Sequence, residues 1–198
     1  MPICKGLSGA LNAMEMMANQ VGLTFYGVDC HTTAVVQARL VEVAKEMYEQ
    51  GKTMEEIMTR MERIIDTADT ILIFEDLQHM VRGGRLTPMA AALGGLLKIR
   101  PVLHLDRSTK GRVDVLGKVR TMKKAQQLVI DRMIDKGANE DYTYILAHVD
   151  ALEAAKEYAE RIEQAITGAQ VQIIDLVSAV GVHTGLGCLA VEVFNDKV

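Results

Sequence analysis

An α/β layered fold is what this sequence predicts, and three observations carry it. The chain has 198 residues, 49% of them apolar, which is enough to bury a real core in one domain or two small ones. Short apolar runs alternate with amphipathic stretches that begin at helix-capping residues. The order strand, helix, helix, strand in the first part favours an α/β layered architecture.

Residues 8–21 read as a helix, with Ser8 as N-cap and Leu11, Met14 and Ala18 on its apolar side. Residues 23–29 (Leu-Thr-Phe-Tyr-Gly-Val-Asp) read as a short strand. Residues 32–50 look helical and stop at Gly51, a favourable residue just past a helix end. Thr53 and Glu56 have capping-box spacing, so a further helix opens there and runs to about residue 67. Residues 71–74, Ile-Leu-Ile-Phe, are a buried strand. A short helix over 75–81 is then broken at Gly83-Gly84, and Pro88 suits the first turn of a helix over 89–97.

Residues 101–105 and 112–115 form two strands of a hairpin whose polar tip is Asp106-Arg-Ser-Thr-Lys-Gly111. An amphipathic helix follows over 121–136, a strand over 142–149 and a helix over 151–166. The remaining pattern is strand 171–177, a glycine-rich loop over 178–188, and strand 189–194.

Composition excludes several function classes. A net charge of −4 gives no general attraction to nucleic acid or to a membrane surface. Aromatics make up 4% and tryptophan is absent, so stacking platforms for single strands are not expected. No apolar run reaches the roughly 18 residues of a bilayer span, and the amino terminus lacks a signal-peptide layout. Cys4, Cys30 and Cys188 are odd in number and widely spaced, which reads as reduced thiols in a cytoplasm. The expected location is therefore cytoplasmic.

The segment Ser178-Ala-Val-Gly-Val-His-Thr-Gly-Leu-Gly-Cys188 concentrates the most ligand-capable chemistry. Its glycines Gly181, Gly185 and Gly187 allow close backbone approach, while Ser178, His183 and Thr184 offer polar groups to a small anion. Cys188 or Ser178 with His183 would make a nucleophile pair, but no orienting acid is evident, and Asp175 lies on the preceding strand. Arg82-Gly-Gly-Arg85 fits either a phosphate or carboxylate site or a turn bearing two solvated arginines. Ser8 in Gly6-Leu-Ser-Gly9 precedes a helix and is either an anion ligand or simply a cap. The basic stretch from Arg107 to Lys124, which includes Arg120, suggests an acidic partner surface. The histidines and cysteines lack metal-site spacing, so no metal is expected.

Read together, these motifs resemble the DegV family of bacterial fatty-acid-binding proteins. The landmarks are Gly6-Leu-Ser-Gly9, Glu75-Asp-Leu-x-x-x-x-Arg-Gly-Gly-Arg85, Leu93-Gly-Gly-Leu-Leu-Lys-Ile-Arg-Pro101, Lys118-Val-Arg-Thr-Met-Lys-Lys-Ala125 and Gly181-Val-His-Thr-Gly-Leu-Gly187. The resemblance implies a partial parallel-sheet α/β part over residues 1–75 and an α+β carboxy-terminal domain over 76–198. It implies an acyl tail in an apolar tunnel, with the carboxylate near residues 181–187. His183 would stand beside that carboxylate, with Thr184, Ser8, Gly181, Gly185 and Ser178 completing the ligand site.

By the same resemblance, Arg82, Arg85 and Arg120 would face a fatty acid kinase to which the bound long-chain fatty acid is presented. The carrier itself would then be no enzyme and would need no cofactor beyond its ligand. Family members carry roughly eighty residues ahead of the Gly-Leu-Ser-Gly motif, the size of a small domain. They also have Ser-Ser where Cys4-Lys5 stands here, which predicts a lost head-group ligand. A homodimer covering an open sheet edge is one expectation. The alternative function is an interaction module that has lost its ligand site and docks an acidic partner through its basic surface.

Overall fold

Strands that are apolar on both faces need cover on both faces, and that requirement organises this chain. The computed structural model describes residues 1–75, 77–95 and 99–198. Six strands form one sheet: β1 (Asp69–Ile73), β2 (Arg100–Leu105), β3 (Asp114–Val119), β4 (Thr143–His148), β5 (Val171–Asp175) and β6 (Leu189–Phe194). Their order is β3-β2-β1-β6-β4-β5. Only β4 and β5 pair in parallel, joined by the crossover helix α7 (Leu152–Ala165); the other neighbours are antiparallel. The mixed α/β class is as expected, with its parallel pairing located at β4–β5. The expected division between residues 75 and 76 falls at Asp76, outside the described residues.

Alternation along the strands sorts side chains between two layers. Ile71 and Ile73 of β1 and Leu189, Val191 and Val193 of β6 pack with α7 and with α6 (Met122–Asp135). Leu72, Phe74, Ala190 and Phe194 face the other way, onto α2 (Ala34–Glu49) and α3 (Met54–Thr67). The Thr53–Glu56 capping box forms as expected at the start of α3, with Thr53 Oγ1 accepting from Glu56 N and the Glu56 carboxylate accepting from Thr53 N. Ile57, Met61, Ile64 and Ile65 then bury one stripe of that helix.

Several expectations need correction. Residues 23–29 form no strand, because nothing among the described residues pairs with them. Helix α1 (Ala10–Gln20) starts after an N-cap at Gly9, not Ser8; the Ser8 hydroxyl accepts from Ala10 N instead. Pro88 does open a helix, α5 (Pro88–Ala91), which tightens into a 3-10 turn over Ala92–Gly95. The rest of the expected helix, to residue 97, lies outside the described residues. The 178–188 segment is not a loop throughout: Ser178–Thr184 is helix α8, closed by Gly185 with φ 78° and ψ 175°. An interior glycine costs a helix about 1 kcal/mol relative to alanine; α8 packs on α4 (Gln78–Gly83).

On the α6 side, Asp69 and Asp106 are buried, and neither is without a cation. Arg132 donates to Asp69 at 3.0 Å and to Asp106 at 2.9 Å, and Lys136 reaches them at 3.4 and 3.1 Å. Burial alone would raise the Asp106 carboxyl; the Ser108 hydroxyl and the Lys136 ammonium outweigh it and hold it at about 2. His104 lies 3.5 Å from Asp69. Asp69, His104 and Asp106 have the proximity of a metal site, and Arg132 and Lys136 pair with both carboxylates. Arg132→Met should cost about 3 kcal/mol in urea unfolding, because it strips one cation from two buried carboxylates. A loss below the error of the fit would show that Lys136 alone suffices.

Candidate ligand-binding site

The face of the sheet that carries Leu72 of β1, Leu105 of β2 and Ala190 of β6 borders an open space that α4 and α8 also line. A cavity of about 220 Å³ occupies that space. Its walls are mostly apolar, with Leu72, Leu105 and Ala190 on the strands, Met80 on α4, Val180 on α8, and Ile3 and Leu7 from the amino-terminal segment. Ser8, Arg85, His183 and Thr184 add polar groups. Such a lining suits a ligand with an apolar body and a polar head.

Local chain geometry explains how those polar groups arrive. Gly6 lies so close to Gly111 that a Cβ there would sit 2.2 Å from its carbonyl carbon, and this contact holds the segment carrying Ser8 against the β2–β3 turn. In the Arg82-Gly-Gly-Arg85 turn, Gly83 lets the His183 ring approach to 3.2 Å from where its Cβ would be. Gly84 takes the left-handed φ of 67° that ends α4, and the chain then turns so that Arg85 lines the cavity. The Arg85 guanidinium is exposed and donates to the Gly83 carbonyl.

Of the residues expected at a ligand, Ser8, His183 and Thr184 line the cavity, and Gly181, Gly185 and Ser178 do not. Gly181 is inside α8, where its carbonyl accepts from the Thr184 hydroxyl at 3.3 Å. Gly185 faces the His79 ring at 2.9 Å from its would-be Cβ, and Ser178 is exposed at the start of α8. Arg85, expected on a partner-facing surface, is at the cavity; Arg82 and Arg120 are exposed elsewhere. Cys4 is buried with its thiol on the Gly111 carbonyl, and Lys5 is exposed, so neither lines the cavity. The Cys188 thiol is buried and pushed up to about 12 by that burial, the opposite of an activated nucleophile.

Three polar lining residues were not anticipated, and one of them, Thr33, is the buried N-cap of α2. Thr70 of β1 and Glu192 of β6 sit directly opposite each other in the sheet register, and both are buried. Glu192 Oε2 accepts from Val36 N at 3.0 Å, at the amino terminus of α2. Burial pushes this carboxyl up to about 7, against the lowering effect of the Val36 and Val35 amides. Ala34, just before those amides, has φ 48°, a left-handed conformation that costs a residue with a Cβ roughly 1–2 kcal/mol. The signal for Glu192 was present in Leu189-Ala-Val-Glu-Val-Phe194: alternation puts it on the same face as the buried Ala190 and Phe194.

A smaller cavity of about 180 Å³ lies near Met14, Phe25, Tyr26, Met54, Met58 and Met61. Its thioethers and rings give it pliable walls. No helix among the described residues is long and apolar enough to cross a membrane.

Comparison with known proteins places these features in one group. The family model described as "Uncharacterised protein, DegV family" matches residues 1–196. A DegV domain-containing protein of Streptococcus pneumoniae is 31% identical over 189 residues, covering 95% of this chain and 66% of the relative. One of Streptococcus pyogenes is 30% identical over 190 residues, covering 93% of this chain and 65% of its own length. The chain thus spans just under two thirds of these relatives. Among solved structures, a fatty acid binding DegV family protein from Streptococcus agalactiae superposes with a TM-score of 0.88 at 27% identity, over 98% of this chain and 68% of that one. DegV of Bacillus subtilis, described as a fatty acid binding protein, gives 0.79 at 25% identity, with the same coverage.

The Glu192 carboxyl provides a pH test. Its folded value of about 7 lies above its ordinary 4.5, so its protonated form stabilises the fold. That contribution is complete below pH 4.5 and is lost as pH rises through 7. Urea unfolding should show a fall of about 3 kcal/mol between pH 4.5 and pH 8, relative to Glu192→Gln, in which this titration is absent. An identical pH slope in the two proteins would refute the assignment.

Proposed function

Because the chain belongs to the DegV family, we propose that it binds a long-chain fatty acid, with the tail in the apolar cavity and the carboxylate at the polar groups around His183. The observation that supports this most is the meeting of Ser8, Arg85 and His183 at one apolar cavity, although they lie in three separate segments of the chain. The fatty acid binding described for the relatives from Streptococcus agalactiae and Bacillus subtilis supports the same reading.

The energetics divide naturally between the two ends of such a ligand. Each buried CH₂ is worth about 0.8 kcal/mol, so the tail supplies affinity. A carboxylate taken from water must be met by donors or a cation, and an imidazole, a hydroxyl and a guanidinium meet that need. On this reading the protein is a carrier and carries out no reaction on its ligand. The exposed Arg82 and Arg120 then serve a separate task, docking a fatty acid kinase through an acidic face, so that the carboxylate is presented for phosphorylation.

Mass spectrometry of organic extracts from freshly purified protein tests the central claim. Stoichiometric fatty acid is expected, with His183→Ala losing tenfold or more of it, the size of one charge-assisted hydrogen bond of about 1.5–3 kcal/mol. A folded protein that carries no lipid would overturn the reading. For the docking surface, Arg120→Glu should weaken association with a fatty acid kinase while leaving extracted lipid unchanged. Loss of lipid in that variant would place Arg120 at the ligand instead.

A further inference from the structure

The cavity is not apolar to its inner end. β6 begins at Leu189, beside α8, and rises about 3.4 Å per residue. Glu192 therefore lies roughly 10 Å along the strand from that end. Thr70, its cross-strand partner on β1, stands beside it. Both side chains are buried, at 1% exposure, and both line the same cavity as His183.

The hydrogen-bonding at this inner end is incomplete. The Thr70 hydroxyl has no hydrogen-bond partner among the described residues. Glu192 accepts amide hydrogen bonds from the start of α2, while a carboxyl has capacity for more. A buried hydroxyl without a partner is costly, and beside a carboxyl with spare hydrogen-bonding capacity it calls for a third polar atom between them.

We propose that Thr70 and Glu192 form a second polar subsite, which selects acyl chains bearing a hydroxyl group along or at the end of the tail. This rests on the reading of the cavity as a fatty-acid site. A hydroxyl suits the pair because it both donates and accepts. It can donate to an ionised Glu192, accept from a protonated one, and pair with the Thr70 hydroxyl in either case. An ammonium would match only the ionised form, and a plain methylene chain leaves the Thr70 hydroxyl unpaired.

A tunnel that is apolar throughout predicts the reverse preference, because burying an unpaired hydroxyl costs at least about tenfold in affinity. Titration calorimetry on delipidated protein distinguishes the two. The ligands are decanoic and dodecanoic acid beside 10-hydroxydecanoic and 12-hydroxydodecanoic acid. At least one hydroxy acid should bind as tightly as its parent or tighter. Thr70→Val, which replaces the unpaired hydroxyl by a methyl of similar size, should shift the ratio toward the parent acid by tenfold or more. Glu192→Gln gives a second reading from the other side of the subsite and should reduce the same ratio.

Parent acids favoured by tenfold or more in the unaltered protein, or a ratio unmoved in both variants, would overturn the subsite while leaving the fatty-acid reading in place. Binding of none of the four acids, together with no fatty acid in the organic extracts, would instead overturn the fatty-acid reading, and the subsite with it.

Discussion

The placement of β6 in the middle of the sheet is the constraint on which the rest of the structure depends. It pairs with β1 on one side and β4 on the other, five or six residues deep on each. Remove it and the β1-β2-β3 ladder has no connection to β4-β5. All six of its residues are buried, so the amphipathic stripes of α2, α3, α6 and α7 are all needed to cover the sheet around it. Because a strand far along the chain from β1 and β4 fills the central position, the antiparallel pairs β1–β6 and β4–β6 are long-range contacts. Such pairings carry a high loop-closure cost before they repay it.

That central position also explains why a carboxyl is found in the core. Glu192 lies on the most protected strand, yet on the face where α2 begins rather than where it could be covered by its middle. The first amides of a helix lack intrahelical partners and carry partial positive charge, so a carboxyl beneath them satisfies donors that would otherwise be orphaned. The Thr33 N-cap side chain makes no capping hydrogen bond, and Glu192 takes over that task from across the fold. One residue thus ties the helix start to the sheet and at the same time gives the cavity a polar floor.

The two ends of the cavity are built by different physical means. At the α4–α8 end, glycines admit a bulky ring and turn the chain: Gly83 makes room for His183, and Gly84 brings Arg85 round to the lining. On the sheet itself, two paired strand positions carry polar side chains where their neighbours Leu72 and Ala190 are apolar. The first arrangement is tolerant, since arginine and histidine side chains adjust. The second is held by the sheet ladder and has little freedom, which suits selection rather than capture.

Local rules determined much of this protein from its sequence. The capping box at Thr53, the proline at the start of α5, the hairpin of β2 and β3, and the apolar strands β1 and β6 all follow from patterns within a few residues. The motifs carrying the family resemblance also held, and among their residues Ser8, Arg85 and His183 do meet at one cavity. What the tertiary structure alone decided were the features whose partners are distant in sequence. Residues 23–29 have strand-like composition but pair with no strand among the described residues, and residues 178–184 form a helix that packs on α4. The pairing of Thr70 with Glu192 joins residues more than a hundred positions apart through sheet register. Capping and periodicity are set by neighbours along the chain, whereas register and burial are set by the whole fold, and a polar subsite made by register is therefore visible only once the sheet is assembled.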